Sequence, residues 1–454
     1  MLTNRITQLF VAGAIIVAAL NWERINDIGF VFPYCSVLAG FYFLKLFENF
    51  GKRIVLIDVL ELLCVVYLLF TPSLFEQLDK EYLQEIQLGF PLSEKYFPLA
   101  IPSVLALLAA FSLPLKERFK NEKMEFKAET NEQFQKIGLW LFVVGISAGF
   151  LKSMGSFGFL ADLLAGLSKV GVLYLLFSNH KFGRIILFSY LGIVMLESLG
   201  GGMIGEFFWW IALLGMYYLM IYRISLLQKL GYAVLFFFSI GLIQSVKAEY
   251  RLATWSNEGE LAGMSPFKVY SHLINDKLSY GMLFSPEESL DVLARFNQGY
   301  LTGMTLDYTP ENEPFAKGET IYTAIASSLV PRVLWPDKPE AGGRDKMLRF
   351  AGIELGETTA MNIGILGEAY VNFGFNGAAV LLFFYGLLLN FVYSSFLAAA
   401  QKRPFIVLWM PVAFFGLISF ETDFVTTLNH LVKFMLFFAV FYYGMINTFR
   451  IKPW

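Results

Sequence analysis

Read for its hydrophobic and polar positions, the chain is a succession of apolar windows, each long enough to cross about 30 Å of hydrocarbon as a helix. They fall at 6–22, 28–46, 54–72, 97–114, 137–153, 159–178, 185–200, 204–222, 230–246, 376–396, 405–423 and 428–449. The pattern predicts an all-α polytopic membrane protein of about twelve transmembrane helices. The polar stretch 247–375 interrupts it once, between the ninth and tenth windows. Three regions follow: N-terminal transmembrane helices over 1–246, a large loop of short and interfacial helices over 247–375, and C-terminal transmembrane helices over 376–454. The windows at 137–153 and 185–200 are short, so tilted, broken or merged helices are expected there.

Within the loop, segments such as SPEESLDVLARF are weakly amphipathic, with Ser285 or Ser289 as a helix cap and a helix lying on the membrane surface as the expected form. The densest part is Lys317–Gly374. There Arg332, Lys338, Arg344, Lys346 and Arg349 crowd among Pro331, Pro336, Pro339, Gly342 and Gly343, so a repeatedly turned backbone presents cations as an anion-binding surface would. The run GILGEAYVNFGFNGAAV then predicts irregular, glycine-rich backbone entering the membrane. Such backbone is tolerated only against protein or a water-filled cavity, which puts Glu368 at a cavity wall.

Lysine and arginine in the short loops set the orientation. Lys52, Arg53, the 116–136 cluster, Lys181, Arg184, Arg223, Lys229, Lys402 and Arg403 share one side with both termini. Both termini are therefore expected in the cytoplasm, and the large loop on the opposite side of the membrane, which in a bacterium would be the periplasm or cell exterior. The first residues, with Arg5 ahead of an apolar run, are expected to form the first anchor.

Composition agrees: hydrophobic residues make up 56% of the chain and charged ones 16%, with 48 Phe, and mean hydropathy is +0.57. A net charge of -2 gives no reason to expect nucleic acid as a partner. Cys35 and Cys64 sit in apolar runs without disulfide or metal spacing, and Walker A, HExxH and dinucleotide fingerprints are absent. Chemistry independent of metal, cofactor and ATP is therefore expected, resting on Arg, Lys, Glu, Asp and Tyr. Ionisable residues near helix ends are further candidates: Glu197 and Glu206, then Glu421, Asp423 and His430. Asp58 and Glu61, three apart on one helical face, read as a structural pair.

A P-R-x-x-W-P-x-K-P run at Pro331, Arg332, Trp335, Pro336, Lys338 and Pro339 precedes G-E-x-Y-x-N-x-G at Gly367, Glu368, Tyr370, Asn372 and Gly374. Together with many spans and one large late loop, this resembles the O-antigen polymerase (Wzy-like) family. The resemblance implies a membrane glycosyltransferase that polymerises oligosaccharide repeat units carried on undecaprenyl pyrophosphate, amid membrane lipids and with a chain-length regulator protein as a candidate partner. Arg332 and Glu368 would be catalytic. Arg344, Arg349, Lys338, Arg295, Trp335, Tyr370 and Asn372 would bind pyrophosphate and sugar, with Glu421, Asp423 or His430 as the alternative acid or base. The competing readings are an O-antigen ligase, for which His272 is the feature, and a transporter or flippase of lipid-linked glycans.

Overall fold

The computed structural model describes residues 2–85, 92–115, 131–153, 158–200, 205–222, 224–256, 259–279, 286–330, 334–336, 338–339, 343–356, 359, 361–418 and 420–447. Regular structure among them is helical, with no strand. In chain order the helices are α1 (Leu2–Leu20), α2 (Ile28–Asn49), α3 (Leu56–Gln77), α4 (Lys80–Glu85), α5 (Tyr96–Ser112), α6 (Glu132–Ser153), α7 (Gly158–Phe177), α8 (Gly183–Gly200), α9 (Gly205–Ile221), α10 (Leu226–Ser256), α11 (Pro266–Ser279), α12 (Pro286–Ala294), α13 (Gly299–Tyr308), α14 (Glu319–Leu329), α15 (Arg344–Ala351), α16 (Gly364–Ala400), α17 (Pro404–Phe415) and α18 (Phe424–Asn447).

Six of these, α2, α3, α8, α10, α16 and α18, are long and apolar enough to cross a membrane, a set compatible with a multi-pass membrane protein. Each coincides with one of the twelve predicted windows. Four other windows correspond to the shorter apolar stretches Arg5–Leu20, α5, α9 and α17. The windows at 137–153 and 159–178 are helical as α6 and α7.

The chain divides into two compact units, one of Met1–Asn49, Val55–Met124 and Phe296–Trp454, the other of Phe50–Ile54 and Glu125–Arg295. The polar stretch 247–375 is thus shared between them, its first part lying in the second unit and the rest in the first.

In the first unit α16 runs against α5. A Cβ on Gly386 would come within 2.8 Å of the Ala110 methyl, which shows how closely the two backbones approach. One turn on, the buried Asn390 donates through Nδ2 to the carbonyls of Ala110 (2.8 Å), Phe111 (3.2 Å) and Leu113 (3.0 Å), capping the C-terminal end of α5. A polar side chain in so apolar a helix is tolerated because it answers carbonyls that α5 leaves open. Asp58 and Glu61 do form a buried structural pair, and its cation is Lys45 of α2, which donates to Glu61 and lies 3.4 Å from Asp58.

In the second unit α6 and α7 pack backbone to backbone, where a Cβ on Gly145 would meet Ser168 N at 2.1 Å. Helix α11 buries Val269, Tyr270 and Leu273 against α10 and leaves Phe267 exposed. The Arg251 guanidinium stacks over Trp255 at 4.3 Å.

Candidate functional site

The site is built from α15, α16 and α18 of the first unit. Helix α15 has only eight residues, too few to persist alone. Glycines in left-handed conformation bracket it: Gly343 at φ +72° before it and Gly352 at φ +67° after it. A Cβ on Gly343 would fall 1.8 Å from Asn362 Oδ1, so no other residue fits there. Met347, Phe350 and Ala351 form the buried face, and Lys346 beside them is carried inward.

There the Lys346 ammonium donates to Glu368 Oε1 at 2.5 Å and to Asp423 Oδ2 at 3.0 Å. Both acids are buried, Glu368 at 0% and Asp423 at 1% exposure, and the lysine side chain is 15% open. The remaining carboxylate oxygens cap α18: Asp423 Oδ1 accepts from Thr426 N at 2.8 Å, and Glu368 Oε2 accepts from Phe424 N at 2.8 Å. The positive end of a 24-residue helix thus faces both acids. One cation between two carboxylates leaves the three side chains with one surplus negative charge when all are ionised. Burial makes that surplus costly.

The other residues named from the sequence divide around this cluster. Asn372, one turn beyond Glu368 on α16, is fully engaged: its Nδ2 donates to Thr320 Oγ1 and the Glu368 carbonyl, both at 2.7 Å, and its Oδ1 accepts from Gly318 N at 3.1 Å. Tyr370 donates to the Thr309 carbonyl at 3.0 Å, and the rings of Phe315 and Phe375 stand edge-on to its own. These two tie the head of α16 to the first turn of α14 and to the chain before it. The Arg349 guanidinium is held by Glu313 (2.6 Å) and, as a fork, by both Glu319 oxygens (2.8 and 3.0 Å). That pairing pushes the Arg349 pKa up and holds the Glu319 carboxyl below its usual range.

Lys338 is buried, with Nζ donating to the Val330 carbonyl at 3.1 Å. Trp335 is half-buried, and its carbonyl accepts from Lys338 N at 3.2 Å. Arg344 is exposed at the start of α15. Arg295 is exposed in the second unit, 3.9 Å from Asp291. Arg332 lies outside the described residues. Of the alternative acids and bases, Asp423 belongs to the cluster, Glu421 is hydrogen-bonded to the Tyr67 hydroxyl, and His430 donates through Nε2 to the Val412 carbonyl at 2.9 Å.

The run GEAYVNFG is helical where irregular backbone was expected. Helix α16 covers it and departs from helical geometry at Gly374, with φ 65° and ψ −163°. Glu368 is accordingly fixed by partners on three sides.

The profile of one family matches residues 63–397, from α3 almost to the end of α16. The chain belongs to the DUF8712 family, a domain of unknown function. Lys346 and Glu368 fall inside the matched region and Asp423 beyond it. Neither the curated proteins nor the solved structures give a match.

Proposed function

We propose that this DUF8712 protein is a multi-pass membrane glycosyltransferase of bacterial surface polysaccharide, which joins oligosaccharide repeat units carried on undecaprenyl pyrophosphate at the outer face of the cytoplasmic membrane. All twelve apolar windows cross the membrane in this reading, with both termini in the cytoplasm. The observation that carries it is the buried Lys346–Glu368–Asp423 cluster at the head of two membrane-length helices. Ionisable groups in such a place are costly, which makes them candidates for chemistry. The sequence resemblance supplies the substrate class.

In the reaction, the acceptor hydroxyl oxygen bonds to the anomeric carbon of the donor unit. The bond from that carbon to the diphosphate oxygen breaks, and the lipid diphosphate leaves with the electron pair. The hydroxyl proton passes to Glu368, which neutralises the surplus charge of the cluster. Asp423 keeps Lys346 and the head of α18 in place. The ammonium has three donors and spends two on the carboxylates, so the third serves a phosphate or hydroxyl oxygen approaching from its open side. Arg332 is the proposed principal cation for the diphosphate, and Arg344 a second.

The surface-glycan length profile of a deletion strain tests the reading. Loss of long glycan while single repeat units still reach the surface supports it. Long carrier-linked glycan without attachment would identify a ligase, and absence of any lipid-linked unit outside would identify a flippase.

A further inference from the structure

Helix α14 carries its side chains in the reverse of the order that water imposes. Its buried face is Thr320, Ile321, Ala324, Ser327 and Ser328, while Tyr322, Ile325 and Leu329 stand 69%, 46% and 61% exposed. Those three recur at i, i+3 and i+7, so they form one stripe along the helix. Phe373, 43% exposed, adjoins its start: a Cβ on Gly318 would meet the Tyr322 ring at 2.9 Å and the Phe373 ring at 3.3 Å. From Thr320 to Pro331 the sequence holds no Asp, Glu, Lys, Arg or His. A helix in water turns its large apolar side chains inward and its hydroxyls outward. The opposite arrangement is stable where hydrocarbon lies outside.

The inner face agrees. Thr320, Ala324 and Ser328 fall at every fourth position, a ridge of small residues of the kind that lets helices approach closely within a bilayer. The helix packs against membrane-length α18, where Asn429 Nδ2 lies 3.5 Å from Ser327 Oγ, and Thr320 Oγ1 accepts from Asn372 of α16 at 2.7 Å. Ser327 and Ser328 donate to the carbonyls of Ala324 (3.0 Å) and Ile325 (2.7 Å) in their own helix, so these hydroxyls need no water. Past the last turn, the Val330 carbonyl accepts from the buried Lys338, a protein partner for a group that a helix end leaves open. Eleven residues rise about 16 Å, half of a hydrocarbon layer of about 30 Å. A helix of that length enters one leaflet without crossing.

We propose that α14 is embedded in the bilayer, with Tyr322, Ile325 and Leu329 against the acyl chains of one leaflet. The segment 319–330 thereby leaves the aqueous loop and joins the membrane domain. An uncharged stripe on a helix that itself packs on a membrane-length neighbour fits acyl chains, which offer neither charge nor hydrogen bonds. The assignment rests on the multi-pass membrane reading and is independent of the transferase chemistry.

Collision measurements on nitroxide labels test it. Ile325→Cys and Leu329→Cys are made singly in the full chain, with the buried Cys35 and Cys64 replaced by Ala, and reconstituted in phosphatidylcholine vesicles. Both positions are exposed, so the label displaces no packed side chain. Oxygen, which concentrates in hydrocarbon, is compared with a water-soluble nickel chelate as the collision partner. Val440→Cys on α18, where the residue is 73% exposed, is the lipid reference, and Glu311→Cys, at a side chain 71% exposed, is the water reference. Oxygen collisions should exceed nickel collisions at Ile325 and Leu329, as at Val440, with the order reversed at Glu311. Nickel-dominated collisions at either position would put α14 in water and overturn the proposal. Few collisions with both reagents would mean that a second copy of the chain covers the stripe, and would overturn it equally. A Val440 label dominated by nickel would instead sink the membrane reading itself, a result distinct from the other two.

Discussion

Glu368 on α16 accepts a 2.8 Å hydrogen bond from the backbone amide of Phe424, the first residue of α18. A carboxylate from one membrane-length helix thus closes the start of another, and the same carboxylate holds the Lys346 ammonium. Glu368→Gln keeps an acceptor for Phe424 and removes the basicity. The variant should insert and unfold near the wild-type temperature while polymerisation falls by roughly 10² to 10⁴. Near-normal glycan length would reassign Glu368 to helix capping alone.

Lys346→Met should be more damaging to the fold than to any single contact. It leaves two carboxylates, 0% and 1% exposed, without their cation, and breaking a buried pair in this way costs about 3–5 kcal/mol. Lys346→Met combined with Asp423→Asn should recover much of the loss, because one uncompensated charge is gone. Equal unfolding midpoints for the single and double variants would show that the cluster is not coupled through charge.

The Arg349–Glu319 fork makes stability depend on pH in a defined direction. The fork holds the Glu319 carboxyl below its ordinary value of 4.5, so the stabilisation is complete above that value and is lost as pH falls through the lower folded-state value. Both side chains are partly exposed, so the effect is modest. The difference in unfolding midpoint between wild type and Glu319→Gln should be largest near pH 7 and should shrink below pH 4.5. A difference that grew on acidification would contradict the pairing.

Gly145→Ala should separate α6 from α7. The new methyl would fall 2.1 Å from Ser168 N, and overpacking of this kind costs about 1–3 kcal/mol. Gly241→Ala on α10, where nothing lies within 4 Å, is the control and should be neutral or mildly stabilising. Matching midpoints in the two variants would mean that the helix pair relaxes freely.

Cysteine labelling checks the orientation in the membrane. A cysteine at Glu311, whose side chain is 71% exposed, should react with an impermeant thiol reagent in intact spheroplasts, and one at Lys123 should not. The reverse pattern would place the polar stretch in the cytoplasm and exclude the proposed chemistry.

Length and apolar composition make the six long helices legible in the sequence, because nothing but a helix satisfies its own backbone across such a stretch. The candidate site is legible only in part. Glu368 and Asp423 stand out as acids beside apolar runs, but Lys346 is one cation among Arg332, Lys338, Arg344 and Arg349. The inward turn of Lys346 depends on the register of α15, set by Met347, Phe350 and Ala351, and on an acid 77 residues away. Glycine density around Gly364–Gly377 marks where the chain is able to bend, yet only Gly364 at the start of α16 (φ 73°) and Gly374 inside it (φ 65°) take left-handed backbone, and the turns between them, with Tyr370 and Asn372 bonded, stay helical.

The break at Gly374 has a mechanical consequence. It separates the first turns of α16, which carry Glu368, Tyr370 and Asn372 and are bonded to Lys346, Thr309 and Thr320, from the apolar remainder that continues to Ala400. Bilayers differ in thickness, and a helix longer than the local hydrocarbon layer answers by tilting. A straight α16 would transmit each change of tilt to Glu368 as a lever does. With one non-helical glycine between the two parts, the lower part follows the lipid while the acid keeps its bearing on Phe424 and Lys346.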